Sequence, residues 1–122
     1  MPKKILIVED DIMLIKIMEA RLVKAGYETV VAQDGQAGLK MARTINPDLI
    51  IMDVMLPKMD GFRATQMLKF DDRYKHIPIV MFTGRMQEED RQTGLSAGAD
   101  AYICKTAEPS SLVDKIKELV GE

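Results

Sequence analysis

Cysteine and histidine are nearly absent from this sequence, with one of each in 122 residues. Cys104 has no partner for an internal disulfide, and within "AYICK" it reads as a small thiol buried in a strand rather than a reactive group. His76, in "RYKHIP", has no second ligand at metal-binding spacing and reads as loop surface. Basic runs are missing too. Lys plus Arg number 17 against 19 Asp plus Glu, for a formal charge of −2. No interleaving of aromatic and basic residues is found, so direct binding of DNA or RNA is not expected. No apolar segment reaches the length of a signal peptide or a membrane span, and "MPKK" leads straight into a strand; a cytoplasmic protein without membrane contact is expected. Linkers, repeats and low-complexity segments are lacking as well. The 122 residues suffice for one core and not for two, so a single domain over residues 1–122, with no output domain, is expected.

What is present is a regular alternation. Short runs rich in Ile, Val and Leu recur as "KILIVE", "YETVVA", "DLIIMD", "IPIVMFT" and "AYIC", and three of them are apolar throughout, which is the pattern of strands buried on both faces. Between them lie amphipathic stretches: Met13 to Ala25 closed by Gly26, Gln36 to Ile45 stopped by Asn46-Pro47, Phe62 to Phe70, Glu88 to Ala97 closed by Gly98, and Pro109 to Val120. Asp11 and Asp34 suit the N-caps of the first two, and Pro109 suits a first helical turn. Five strands alternating with five helices predict a doubly wound α/β domain with a parallel sheet and right-handed crossovers. Ligands of such sheets bind beyond the carboxyl ends of the strands.

Those ends carry chemistry. The first strand ends in Glu9, Asp10 and Asp11, the third in Asp53, and the fourth in Thr83-Gly84; the fifth is followed by Lys105. Each group alone has a plainer role: a helix cap, an ordinary turn, one surface lysine among many. Together they place carboxylates, a hydroxyl and an ammonium on one rim. Two carboxylates about 4 Å apart repel by roughly 4 kcal/mol at an effective dielectric near 20, so Glu9, Asp10 and Asp53 need a cation among them. An all-oxygen donor set suits Mg²⁺. A nucleophilic carboxylate beside such an ion, with a Lys and a hydroxyl to hold phosphoryl oxygens, is equipment for an aspartyl-phosphate.

With these residues in view, the chain resembles the receiver domain of two-component response regulators, of the stand-alone type seen in chemotaxis regulators. The likeness runs from Lys4 to Val120 and rests on "ILIVEDD", "PDLIIMDVMLPKMDG", "PIVMFTG" and "GADAYICK" in the family's order and spacing. It implies a flavodoxin-like sheet in the order 2-1-3-4-5 flanked by five helices. It also implies that Asp53 is the phosphoacceptor, that Asp10, Asp53 and the backbone carbonyl of Met55 ligate Mg²⁺, and that Glu9 holds the metal through water. Thr83 then matches the hydroxyl residue that moves to the phosphoryl group, Lys105 the lysine that contacts it, and Tyr102 the aromatic switch that turns inward. The phosphoryl donor would be a histidine kinase or histidine phosphotransfer protein. The phosphoryl group would later be hydrolysed by the domain itself, with no external substrate turned over. Driving such a switch from 1:99 to 99:1 takes about 5.5 kcal/mol of preference for the active state.

Two departures from the family pattern carry expectations. Most receivers follow the lysine with a cis proline, whereas Thr106 stands here; a cis bond before a residue other than proline costs about 3 to 4 kcal/mol, so a trans Lys105-Thr106 bond and a rearranged loop are expected. The positions that tune phosphoryl lifetime are Met55 and Arg85, a bulky thioether and a long cation, which implies slow self-dephosphorylation. Relatives often dimerise through charges on the face of the fourth helix, fifth strand and fifth helix. Arg91, Asp100, Lys115 and Lys117 could serve, but Ala97, Ala101 and Ser111 leave partners missing, so a monomer or weak dimer is expected. That same face, with Tyr102, is the expected output surface toward a downstream protein. Met55, Met59 and Met86 lie near the rim, where methionines suit either adaptable partner contacts or core. The competing reading is a pseudo-receiver that docks a partner without being phosphorylated. A dehalogenase-like phosphatase would want a second Asp at Met55, and a flavin carrier a loop that is not acidic.

Overall fold

Strands that are apolar on both sides require cover on both sides, and this requirement organises the chain. The computed structural model describes residues 2–107 and 109–121. Five strands, β1 (Lys4–Val8), β2 (Glu28–Ala32), β3 (Leu49–Met52), β4 (Ile79–Thr83) and β5 (Ala101–Cys104), form one parallel sheet in the order β2-β1-β3-β4-β5. Five helices alternate with them: α1 (Ile12–Lys24), α2 (Gly35–Ile45), α3 (Gly61–Lys69), α4 (Glu88–Ser96) and α5 (Pro109–Val120). The expected architecture and order are both present.

The pleat sorts side chains into two cores. Leu6, Val8, Ile50, Met52, Ile79 and Met81 face one side, where Leu39 and Ala42 of α2 and Ala64 and Leu68 of α3 cover them. Ile5, Ile7, Leu49, Ile51 and Val80 face the other, under Met18 and Leu22 of α1 and Leu112 and Ile116 of α5. Each such aliphatic side chain, fully buried, contributes about 1.5 to 3 kcal/mol of transfer free energy.

Helix ends follow local chemistry. Asp11 accepts from the amides of Met13 (3.1 Å) and Leu14 (3.3 Å), and Asp34 from that of Ala37 (2.7 Å). Both are the expected caps. A third, Asp60, accepts from Arg63 N at 2.9 Å and was not evident from the sequence. Gly26 and Gly98 follow α1 and α4 with φ of +98° and +103°, the left-handed geometry in which glycine ends a helix without a Cβ penalty. α4 differs from the other helices, because the buried positions among its residues are Asp90 and Gly94, with no large apolar side chain.

Candidate functional site

Because all five strands are parallel, their carboxyl ends open on one rim, and the register brings particular residues there. The amide of Glu9 donates to Ala32 O (3.0 Å) and that of Asp53 to Val8 O (3.1 Å), so each acid begins one step beyond its strand. Glu9, Asp10 and Asp53 each offer a carboxylate oxygen within 4.8 Å of the others. Glu9 and Asp53 are buried, while Asp10 is exposed. Asp11, read as one of the acids on this rim, turns away as the α1 cap.

One ammonium balances the buried pair. Lys105 Nζ lies 2.9 Å from Asp53 Oδ2 and 3.0 Å from Glu9 Oε1. Its backbone N–H donates a hydrogen bond to Thr83 O (2.9 Å). Every described peptide bond is trans, including Lys105-Thr106, as expected, and the ammonium still reaches Asp53. Asp53 Oδ1 accepts from Val54 N at 2.8 Å. The position of Asp53 is also secured by Gly61 at the start of α3, where a Cβ would overlap the Asp53 carbonyl.

Protonation follows from burial. Desolvation raises the pKa of Glu9, against the amide of Asp11 and the ammonium of Lys105, which lower it. For Lys105, burial favours the neutral amine, but the bonds to Asp53 and Glu9 outweigh it and raise the pKa. Glu9 Oε2 accepts from the amides of Asp10 (3.1 Å) and Asp11 (3.0 Å), whereas Oε1 is buried with no well-angled hydrogen bond; its approach to Lys105 is ionic. Three clustered carboxylates against one ammonium leave excess negative charge on oxygen donors, which fits a hard divalent cation such as Mg²⁺.

The switch candidates adjoin this cluster. Thr83 is fully buried, and its Oγ1 accepts from Arg85 N at 3.2 Å. Tyr102 is buried with its hydroxyl donating to Arg85 O at 2.6 Å. The ring lies inward, in space that Gly94 leaves open, since a Cβ there would sit 2.8 Å from the ring. Burial, then the nearby Asp90 carboxylate, push the phenol pKa up. Met55 and Arg85 meet, Nη1 to Sδ, at 3.6 Å, and with Asp10, Pro57 and Phe62 they line an open cleft of about 410 Å³. Met55 and Met86 are exposed and Met59 packs on the core.

Some residues stand elsewhere than expected. Cys104 is only half-buried, and a 3.0 Å contact with the Thr106 hydroxyl lowers its thiol pKa. His76 is exposed, as expected. Of the charges considered for dimerisation, Asp100 is engaged by Lys69 (2.8 Å) and the Ile79 amide (2.8 Å), and Lys115 by Glu118 (3.0 Å). The ion pair between Arg85 Nη2 and Asp90 Oδ1, at 2.8 Å, was missed in the sequence. Its available signal was an acid five residues after Arg85 in the first turn of a helix.

Comparison with known proteins bears on this geometry. The family model described as "Response regulator receiver domain" matches residues 5–117. The chain is 42% identical over 118 residues to the probable transcriptional regulator ycf27 of Cyanophora paradoxa, covering 97% of this chain and 48% of that protein. It is 35% identical over 122 residues to the polar-differentiation response regulator DivK of Brucella anthropi, covering 100% of this chain and 99% of the relative. The chain thus spans about half the length of the first relative and nearly all of the second. Among solved structures, a putative response regulator from Chloroflexus aurantiacus superposes with a TM-score of 0.93 at 33% identity, covering 100% of both chains.

The raised pKa of Glu9 predicts a stability effect. A carboxyl that holds its proton more tightly when folded gives the native state the extra proton between pH 4.5 and the raised value, so stability falls as pH rises through that window. With divalent cations chelated, Glu9→Gln is expected to raise the urea midpoint at pH 7 and to remove this contribution from its pH dependence. A midpoint lower than the parent's at pH 7 would contradict this.

Proposed function

The chain belongs to the response regulator receiver family, and from that premise we propose that it takes a phosphoryl group on Asp53 and signals by protein contact. Members of this family are signalling modules of two-component systems. The observation that carries the proposal is the seating of Lys105 between Asp53 and Glu9 although Thr106 follows it. A module that only docks a partner has no use for a buried acid pair balanced by a lysine at the strand ends, which disfavours the pseudo-receiver reading.

In the proposed reaction an Asp53 oxygen attacks the phosphorus of a phosphohistidine on a histidine kinase or histidine phosphotransfer protein. A P–O bond forms as the P–N bond breaks, and the electron pair leaves on the imidazole nitrogen, which takes up a proton from solvent. Asp10, Asp53 and the Met55 carbonyl would hold Mg²⁺, with Glu9 holding it through water. Bound there, the ion neutralises charge on the transferring phosphoryl oxygens. Lys105, already on Asp53, would keep its bond by shifting to a phosphoryl oxygen. Thr83 Oγ1, which accepts from Arg85 N, retains its own hydrogen to donate. Several such charge-assisted bonds suffice for a few kcal/mol of preference between two conformations.

Signalling is proposed through α4, β5 and α5, where Tyr102 joins the site to the surface. No external substrate is turned over, and a cytoplasmic setting is the one in which a kinase of this class would meet the chain. No helix among the described residues is long and apolar enough to cross a membrane. The ion pairs of Asp100 with Lys69 and of Lys115 with Glu118 support a monomer or weak dimer, for which a sedimentation coefficient unchanged by phosphorylation is the expected result.

After incubation with Mg²⁺ and acetyl phosphate, intact mass is expected to show one phosphoryl adduct. Asp53→Asn and a metal-free control should show none; an equal adduct on Asp53→Asn would overturn the assignment. Met55 and Arg85 line the cleft beside Asp10 and touch each other; the adduct should decay slowly, and the pair of changes Met55→Asn and Arg85→Ala should hasten its loss. Decay that slows or stays the same would sink that idea.

A further inference from the structure

Asp90 is a carboxylate only 8% exposed on a helix that buries little else. Its ion pair among the described residues is with Arg85, 2.8 Å away and about half-exposed. A buried carboxylate is costly unless a cation and hydrogen bonds accompany it. The first turn of α4 eases that cost, because the amino end of a helix favours negative charge, but it does not explain why a solvated helix turns an acid inward. Arg85 does. Its guanidinium spans from Asp90 on α4 to the Met55 sulfur in the loop after β3, its amide holds Thr83 Oγ1, and its carbonyl holds the Tyr102 hydroxyl. One residue touches the loop after β3, α4 and both switch side chains, and Asp90 supplies its ionic anchor.

We propose that Asp90 is a positioning residue for the phosphoryl chemistry at Asp53: it fixes the Arg85 guanidinium across the cleft against Met55, where the two side chains keep water from an acyl phosphate. Asp90 acts through Arg85 and touches no reacting atom. The inference rests on Asp53 being the phosphoacceptor. It goes beyond that reading by placing control of phosphoryl lifetime on α4, the helix that also borders the proposed output face. An α4 displaced by a partner would carry Asp90 with it, release Arg85 and open the mouth.

The test is the decay of the acetyl-phosphate adduct, followed by intact mass after excess donor is removed, in the parent, Asp90→Asn, Asp90→Glu, Arg85→Ala and the double variant Arg85→Ala with Asp90→Asn. A half-exposed pair is worth little on its own scale, so Asp90→Asn should hasten decay about three- to fivefold. Arg85→Ala should do about the same, the double variant no more than Arg85→Ala alone, and Asp90→Glu should keep decay near the parent rate. A merely structural role would lower the melting temperature without this non-additivity or rescue. Unchanged decay in Asp90→Asn, or rate increases that multiply in the double variant, would overturn the inference while leaving the phosphoacceptor in place. Should Asp90→Asn not fold, Arg85→Gln, which keeps the stem and loses the charge, decides the point: decay at the parent rate overturns the proposal and faster decay supports it. Absence of any adduct on the parent protein would overturn the phosphoacceptor reading, and this inference with it.

Discussion

The ammonium of Lys105 is the contact on which the rim depends. Glu9 follows β1, Asp53 follows β3 and Lys105 follows β5, and these strands are not all neighbours in the sheet. Two buried carboxylates from separate strands would repel strongly in a half-desolvated cleft, and one cation between them makes the cluster tolerable. The neutralisation is partial, since Asp10 adds a third negative charge. The result is a site held together yet still short of positive charge, which is the electrostatic condition for drawing in a metal ion.

Backbone contacts make that arrangement exact in position. The amides of Glu9 and Asp53 continue the sheet ladder, and the amide of Lys105 does the same toward Thr83. Each of these three residues is therefore the first one past its strand, anchored by its backbone, with its side chain turned to the others. Gly61 matters here for one reason: α3 approaches the Asp53 carbonyl too closely for any side chain. The sequence "MDG" thus encodes a cap and a close approach in two adjacent residues, Asp60 and Gly61.

Most of this was legible before any coordinates. The strands announced themselves because burial on both faces demands uninterrupted apolar runs, and the helix bounds came within a residue because Asp11, Asp34, Gly26 and Gly98 mark ends by local rules. The rim residues were legible because a parallel sheet puts every strand's carboxyl end on one side. What could not be read depended on particular contacts in the folded chain. The notch at Gly94 that receives the Tyr102 ring and the contact of Cys104 with Thr106 are of this kind, and the inward Asp90 looks in sequence like one acid in a solvated "EED" run. None of these has a periodic or capping signature.

The strand order also dictates when the site can exist. A parallel sheet has no hairpins, so every pairing waits for a crossover helix, and sheets dominated by such non-local pairings fold slowly. β1 and β3 bring Glu9 and Asp53 together as neighbours in the middle of the sheet, whereas the balancing lysine arrives only with β5 at its edge. During synthesis the acids emerge first and the cation last. The charge that balances the two buried acids therefore depends on the last strand to be made.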